Sequence, residues 1–262
     1  MTAIAPGRVA LRPGTEELVF IGRSVRHSLR NVETLAMSIM LPVVLMLLFT
    51  FVFGGALDAD GGYVDYVVPG IILLCAGFGS AGIAVDVAND METGIIDRFR
   101  TMPIRSWAVL TGHVVASLAR NLFATVVVIG VALAVGFRPD ATPLEWLAAF
   151  GLIALYILAI TYLFAAIGLA ANSAEAANGY TFILMFLPYL SSAFVPVDTL
   201  PVWLRWIAEN QPITPIIESI RSLLLGSDPG TAPLLALGWT TLILVVAIGW
   251  GALLFRRKAA RH

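Results

Sequence analysis

The chain has 262 residues, 59% hydrophobic and 13% charged, with a formal net charge of −1 and a mean hydropathy of +0.89. Soluble domains carry about 25% charged residues, and a folded surface needs that polar cover, so the deficit excludes a soluble globular protein. The absence of a general basic patch argues against nucleic acid as a partner. A single cysteine, Cys75, excludes a disulfide framework and a multi-thiolate metal site.

What remains is an all-α polytopic membrane protein with six transmembrane helices. Residues 1–33 come first, as a cytoplasmic segment. In it Leu18, Ile21, Val25, Leu29 and Val32 recur at helical spacing among Glu17, Arg23, Arg26 and Arg30. That pattern predicts an amphipathic interface helix lying along the headgroups, apolar side down.

The transmembrane domain covers residues 34–255. Crossing the hydrocarbon core takes about 20 apolar residues. Six runs qualify: Thr34–Phe53, Val67–Val87, Leu118–Phe137, Leu144–Ala170, Ala177–Val197 and Ala232–Phe255. The third pattern reaches back to Trp107 but includes His113 and Arg120. Pro42 and Pro188 are expected to kink their helices. The first run is too long for a signal-peptide core and lacks a small-x-small site after Phe53, so it reads as a retained anchor.

Two polar connections are longer than simple turns require. Between spans two and three, Ala88–Ser106 carries Ile95, Ile96, Phe99 and Met102 as an apolar stripe on a short cytoplasmic helix ended near Pro103. An apolar stripe rimmed with charge suits docking into a groove on another protein. Between spans five and six, residues 198–230 are too polar to span. They hold Trp203, Leu204, Trp206 and Ile207, then Ile213, Ile216, Ile217, Ile220 and Leu223. This predicts two short extracellular helices, stopped at Gly226, with tryptophans at headgroup level.

Orientation follows from arginine and lysine in short loops. Arg8, Arg12, Arg23, Arg26 and Arg30 precede the first span, Arg98, Arg100 and Arg105 follow the second, and Arg256, Arg257, Lys258 and Arg261 fill the basic tail, residues 256–262. The opposite side has only Arg138, Arg205 and Arg221, among many acids. Both termini are therefore expected in the cytoplasm.

Charge is sparse at depth. Asp86, Asp90 and Arg120 lie near inner span ends, within snorkelling reach of headgroups. An uncharged middle disfavours a proton- or ion-coupled carrier and suits apolar or amphipathic cargo. His27, His113 and His262 lie far from one another in sequence, so no nucleophile–base or metal constellation suggests an intramembrane enzyme. No polar ring suggests a channel pore.

At the cytoplasmic loop the sequence Glu92-Thr-Gly94-Ile-Ile-Asp-Arg98-Phe-Arg-Thr-Met-Pro103 resembles the E-x-G-x-x-x-R-x-x-x-x-P stretch of ABC-2 type permeases. Independently, Asn210-Gln-Pro212-Ile-Thr-Pro-Ile-Ile-Glu-Ser-Ile-Arg221-Ser-Leu-Leu-Leu-Gly226 resembles that family's Asn-Pro-(apolar)-Thr … Arg-x-Leu-Leu-x-Gly stretch before the last span. Gln211 splits Asn210 from Pro212, a departure found in the daunorubicin-resistance-like branch.

The resemblance implies a permease subunit of an ATP-driven exporter. No P-loop exists, because the sole lysine, Lys258, stands in Arg-Arg-Lys-Ala. The chain is therefore expected to be no enzyme and to bind no cofactor, with ATP and Mg held by a partner ATPase. The resemblance implies that Glu92, Gly94, Ile95, Ile96, Arg98, Phe99, Met102 and Pro103 form the coupling helix in the ATPase cleft. It implies pairing with a second permease subunit, a homodimer ahead of a heterodimer, among membrane lipids in a bacterial plasma membrane. It also makes spans two and five the cavity lining, with Phe78, Phe186, Tyr189, Ser191 and Ser192 on the substrate path. Cargo is expected to be drug- or antibiotic-like, the alternative being a lipid or lipid-linked glycan, and a non-ABC transporter coming after both.

Overall fold

The computed structural model describes residues 32–57, 62–92 and 107–259. Among these every regular element is helical. The interface helix expected before residue 32 and the coupling residues Gly94, Ile95, Ile96, Arg98, Phe99, Met102 and Pro103 lie outside the described residues, as do the side chains of the basic tail.

Helix α1 spans Val32–Leu47 and runs on through a π-helical stretch, Leu48–Phe53, into α2, Gly54–Leu57. Then come α3 (Tyr63–Glu92), α4 (Trp107–Val135), α5 (Pro143–Ala170) and α6 (Ala174–Leu184). Two 3-10 turns, Leu187–Leu190 and Val197–Thr199, lead to α7 (Val202–Asn210), α8 (Ile213–Leu225) and α9 (Ala232–Ala259). Among the described residues four stretches are long and apolar enough to cross a membrane: Tyr63–Glu92, Val114–Val135, Pro143–Ala170 and Ala232–Leu254. The first apolar run contributes a shorter apolar stretch, Ser38–Phe53. The fifth run, expected as one helix over residues 177–197, is divided at Leu184.

Helices α3 and α5 form the centre. In their most apolar stretches 72% and 67% of residues are buried, against 17% in α9, whose apolar face looks outward. Buried residues form two separate cores. One gathers the start of α3, the later turns of α4, the first half of α5, Ala193, Phe194 and α8; we call this the Arg221 end. The other gathers Ile83, Ala84, Val87 and Ala88 of α3 with Phe164, Leu169, Ala171 and Ala177; this is the Glu92 end. Between them lies a polar bridge. Asn121 Nδ2 donates to Ser80 Oγ at 2.9 Å, and Ser80 shares a hydrogen bond with Thr161 Oγ1 at 3.1 Å. One side chain each from α3, α4 and α5 thus meets in the interior, the Asn121 amide N–H and the two hydroxyls finding partners within the protein as an apolar surrounding demands.

Local chemistry sets the helix ends. Helix α5 begins with a capping box: Thr142 Oγ1 accepts from Glu145 N, and Glu145 Oε2 accepts from Thr142 N at 2.7 Å. Helix α8 ends at Gly226, whose φ of +67° is the left-handed conformation glycine adopts without penalty, and whose N–H bonds Ser222 O. The apolar stripe of α8 is buried as its period predicts, through Ile213, Ile216, Ile217 and Ile220. It closes on fully buried Leu224 rather than Leu223, the i+4 neighbour of Ile220.

The two expected kinks differ. Proline removes an N–H, leaving the carbonyl four residues earlier without its helical donor. Pro42 sits inside a continuing helix, and the carbonyl it orphans, Ser38 O, accepts from Cys75 Sγ of α3 at 3.6 Å. Pro188 does not sit inside an α-helix but in the short 3-10 turn Leu187–Leu190. Helix α6 stops at Leu184, four residues before Pro188.

Candidate functional site

The break in the fifth run creates the most distinctive surface of the molecule. After Leu184 the chain turns through Leu187–Leu190 and becomes extended at Ser191, so successive carbonyls lose their helical donors. In an apolar surrounding each needs another partner. The Leu190 carbonyl accepts from Gln211 Nε2, the Ser192 carbonyl from Arg221 Nη2 at 2.8 Å, and the Phe194 carbonyl from Tyr63 Oη at 2.8 Å. Helices α3 and α8 and the connection between α7 and α8 thus supply three donors to alternate residues. Ser191 tightens the turn itself, donating to Pro188 O and accepting from Ala193 N. Ala193 then packs onto α3 at Gly70, where a Cβ would stand 2.6 Å from the Ala193 Cβ; only glycine permits that approach.

Arg221 does more than hold Ser192. Its Nε and Nη2 both donate to Tyr66 O, at 3.3 and 3.0 Å, and its Nη1 meets Glu218 Oε1 at 2.7 Å. The guanidinium also lies 3.9 Å from the centre of the Tyr66 ring, a cation–π contact. It is 8% exposed, so a buried charge is matched on nearly every N–H. Nearby, Arg138 N donates to Asp65 Oδ1 at 2.9 Å, and Asp140 N to Leu224 O at 3.0 Å. These bonds tie the α4–α5 connection to the same end.

On the open side of the break lies a series of rings. Phe182 meets Phe186 edge-on at 5.1 Å, Phe186 lies 5.9 Å from Tyr189, and Tyr189 stacks on Phe194 at 5.3 Å. The series continues by stacking of Phe194 on Phe49 at 4.2 Å, then to Phe53 at 5.5 Å. Phe194 is buried, whereas Phe182, Phe186, Tyr189 and Phe53 present open faces. Phe78 of α3 lies near Pro188 of the break. It lines a narrow crevice with Leu184, Met185 and Pro188 under the break. It also lines a groove of about 460 Å³ walled by Met40, Leu41 and Val44, with Arg120 as its one charged liner. The Arg120 Nη2 donates to Gly79 O at 3.0 Å. Among the described residues no cluster of His, Cys, Asp or Glu could hold a metal ion.

The expected substrate-path residues are therefore distributed in different ways. Phe186 and Tyr189 are in ring contact, Phe78 shares a crevice with Pro188, and Ser191 and Ser192 are buried beneath the surface. Of the outer motif, Asn210 Nδ2 donates to Trp206 O, Pro212 opens α8, Arg221 holds the break and Gly226 closes α8. Of the coupling set, Glu92 is described. It ends α3, and its Oε1 accepts from Ala174 N at 3.3 Å, at the start of α6. Tyr63, Gln211 and the Ser80–Thr161–Asn121 bridge carry structural work that the sequence patterns do not mark. Gln211 alone had a signal, as the residue splitting Asn210 from Pro212.

Similarity to known proteins points one way. The sequence pattern of a family described as ABC-2 type transporter matches residues 16–225. A daunorubicin resistance ABC transporter permease protein of Streptomyces coeruleorubidus is 28% identical over 191 residues, covering 72% of this chain and 68% of that protein. A probable doxorubicin resistance ABC transporter permease protein of Mycobacterium tuberculosis is 25% identical over 256 residues, covering 94% of this chain and 90% of its own. A probable multidrug ABC transporter permease of Escherichia coli is 26% identical over 206 residues, covering 75% of this chain and 53% of its own.

Proposed function

This chain belongs to the ABC-2 type transporter family, and from that premise we propose that it exports planar, hydrophobic or amphipathic drug-like compounds across a bacterial plasma membrane. The coarser part of that statement stands on kinship: the chain is a multi-pass membrane protein and an ABC transporter permease subunit, not itself an enzyme. The finer part rests on one observation, the ring series from Phe182 to Phe53 exposed at the break of the fifth run. Flat aromatic faces stack on flat aromatic cargo, and two of the relatives are named for resistance to daunorubicin and doxorubicin.

In this reading six crossings are made. Helix α1 with its π-helical continuation is the first, and α6 with the tied segment to Phe194 is the fifth. Both termini lie in the cytoplasm at the Glu92 end, and α7 and α8 lie outside. A separate ATPase binds ATP and Mg and docks on Glu92–Pro103. A second copy of the chain completes the pathway, and nucleotide biases the assembly between two states.

The test uses inside-out vesicles containing the permease with its ATPase and daunorubicin as probe. ATP-dependent uptake is expected, with no uptake when the ATPase lacks its P-loop lysine. Tyr189→Ala and Phe186→Ala should each weaken apparent affinity about fivefold, the worth of one aromatic contact. ATP-driven lipid translocation without movement of any aromatic compound would transfer the assignment to a lipid exporter.

A further inference from the structure

Glu92 heads the segment expected to meet the ATPase, yet its carboxylate reaches another part of its own chain. It is the last residue of α3, and its Oε1 accepts from the backbone N–H of Ala174, the first residue of α6. The first turn of a helix exposes donors and a partial positive charge. In α6 that turn is shared out: Ser173 Oγ takes Ala176 N at 3.1 Å, and Glu92 takes Ala174 N. Directly beneath, Ala88 and Ala177 are almost wholly buried in one core with Val87, and Met91, Ala174 and Ala176 pack on it. Small side chains let the two helix ends sit close, and the carboxylate pins them.

We infer that Glu92 is a positioning residue which joins the end of α3 to the start of α6, so that the two helix ends move as one body. Displacement of the segment after Glu92 then passes straight into α6. Helix α6 is 11 residues long and ends at Leu184, and beyond it the backbone is held by Gln211, Arg221 and Tyr63. Motion entering at Ala174 is thus taken up between Leu184 and Leu190, where Phe186 and Tyr189 project. This rests on the exporter reading and adds to it a route by which the motor reaches the aromatic surface.

The discriminating variant is Ala174→Pro. It deletes the N–H that Glu92 holds while leaving Glu92 itself in place. Proline is favoured at the first position of a helix, and Ser173 is already extended, at φ −153° and ψ 163°, as a residue before proline must be. Daunorubicin moved per ATP hydrolysed should fall about fivefold or more, the size of an ordinary coupling between two sites. Glu92→Ala should show the same loss, and the double variant no further loss, because both break one contact. Wild-type coupling in Ala174→Pro would overturn the inference, as would additive losses in the double variant.

A second measurement does not depend on transport. Amide exchange at residues 174–176 of the intact permease should speed up about fivefold in Glu92→Ala, as expected for a lost helix cap. Unchanged exchange there would also overturn the inference. A wild-type complex that moves no daunorubicin would count against the exporter reading alone, leaving the exchange result to decide the contact.

Discussion

The two ends of the molecule are fastened differently. At the Arg221 end, three side chains hold alternate carbonyls of a broken strand of backbone, and one buried guanidinium reaches α3, α8 and that backbone together. At the Glu92 end an exposed carboxylate holds an amide of α6, above a core closed mainly by alanines and valine. The difference separates two jobs. Many buried bonds on one end make a platform, whereas the solvent-accessible Glu92 bond makes a connection that can be strengthened or released by a partner.

Substitutions can break or sharpen this contrast. Arg221→Ala should be the most damaging, destabilising the protein by about 3 kcal/mol. It strands the carbonyls of Tyr66 and Ser192 and leaves Glu218 without its ion pair. Thermal unfolding in detergent is the measurement, and a loss below 1 kcal/mol, on the order of a surface substitution, would dissolve the platform. Arg221→Lys should recover less than half of the loss, since an ammonium cannot fork between carbonyls.

Gln211→Leu comes next, at about 2 kcal/mol, because it keeps the bulk and abandons the Leu190 carbonyl in a buried site. Tyr63→Phe removes only a hydroxyl from Phe194 O and should cost about 1 kcal/mol, nearer the modest average for hydrogen bonds inside membrane proteins. Glu92→Ala should change unfolding by no more than about 0.5 kcal/mol while lowering transport per ATP. Equal stability losses at Glu92 and Arg221 would erase the contrast between the ends.

How much of this was legible in the sequence depends on the range of the interaction. The stripe Ile213, Ile216, Ile217 and Ile220 shows itself because a helix repeats every few residues and the apolar effect is local to that face. The fourth apolar run, expected from Leu144, likewise begins within a residue of where α5 starts, at Pro143. The two prolines show where such reading stops. Pro42 and Pro188 look alike, but Pro42 stays helical where Cys75, 37 residues from Ser38, covers the carbonyl it exposes. Pro188 is followed by a segment whose carbonyls are claimed by residues far along the chain.

Arg221 was visible as a motif position, yet its partner Tyr66 is 155 residues away, and no pattern in the sequence pairs them. The aromatic surface is intermediate. Phe186 and Tyr189 were expected together, whereas Phe49 joins them only through the fold. Ser191 and Ser192 share their polarity with path-lining residues but are buried by the turn they shape.

The engagement of Cys75 has a practical side. The thiol is fully buried and turned toward Ser38 O, and it is the chain's only one. The native protein is thus silent to maleimides as long as it stays folded, with no cysteine to remove first. A fluorophore or spin label attached through a cysteine introduced at Phe182 or Trp206, both open to the surroundings, would report from that position alone. Movement on either side of the break could then be followed on an otherwise unaltered chain.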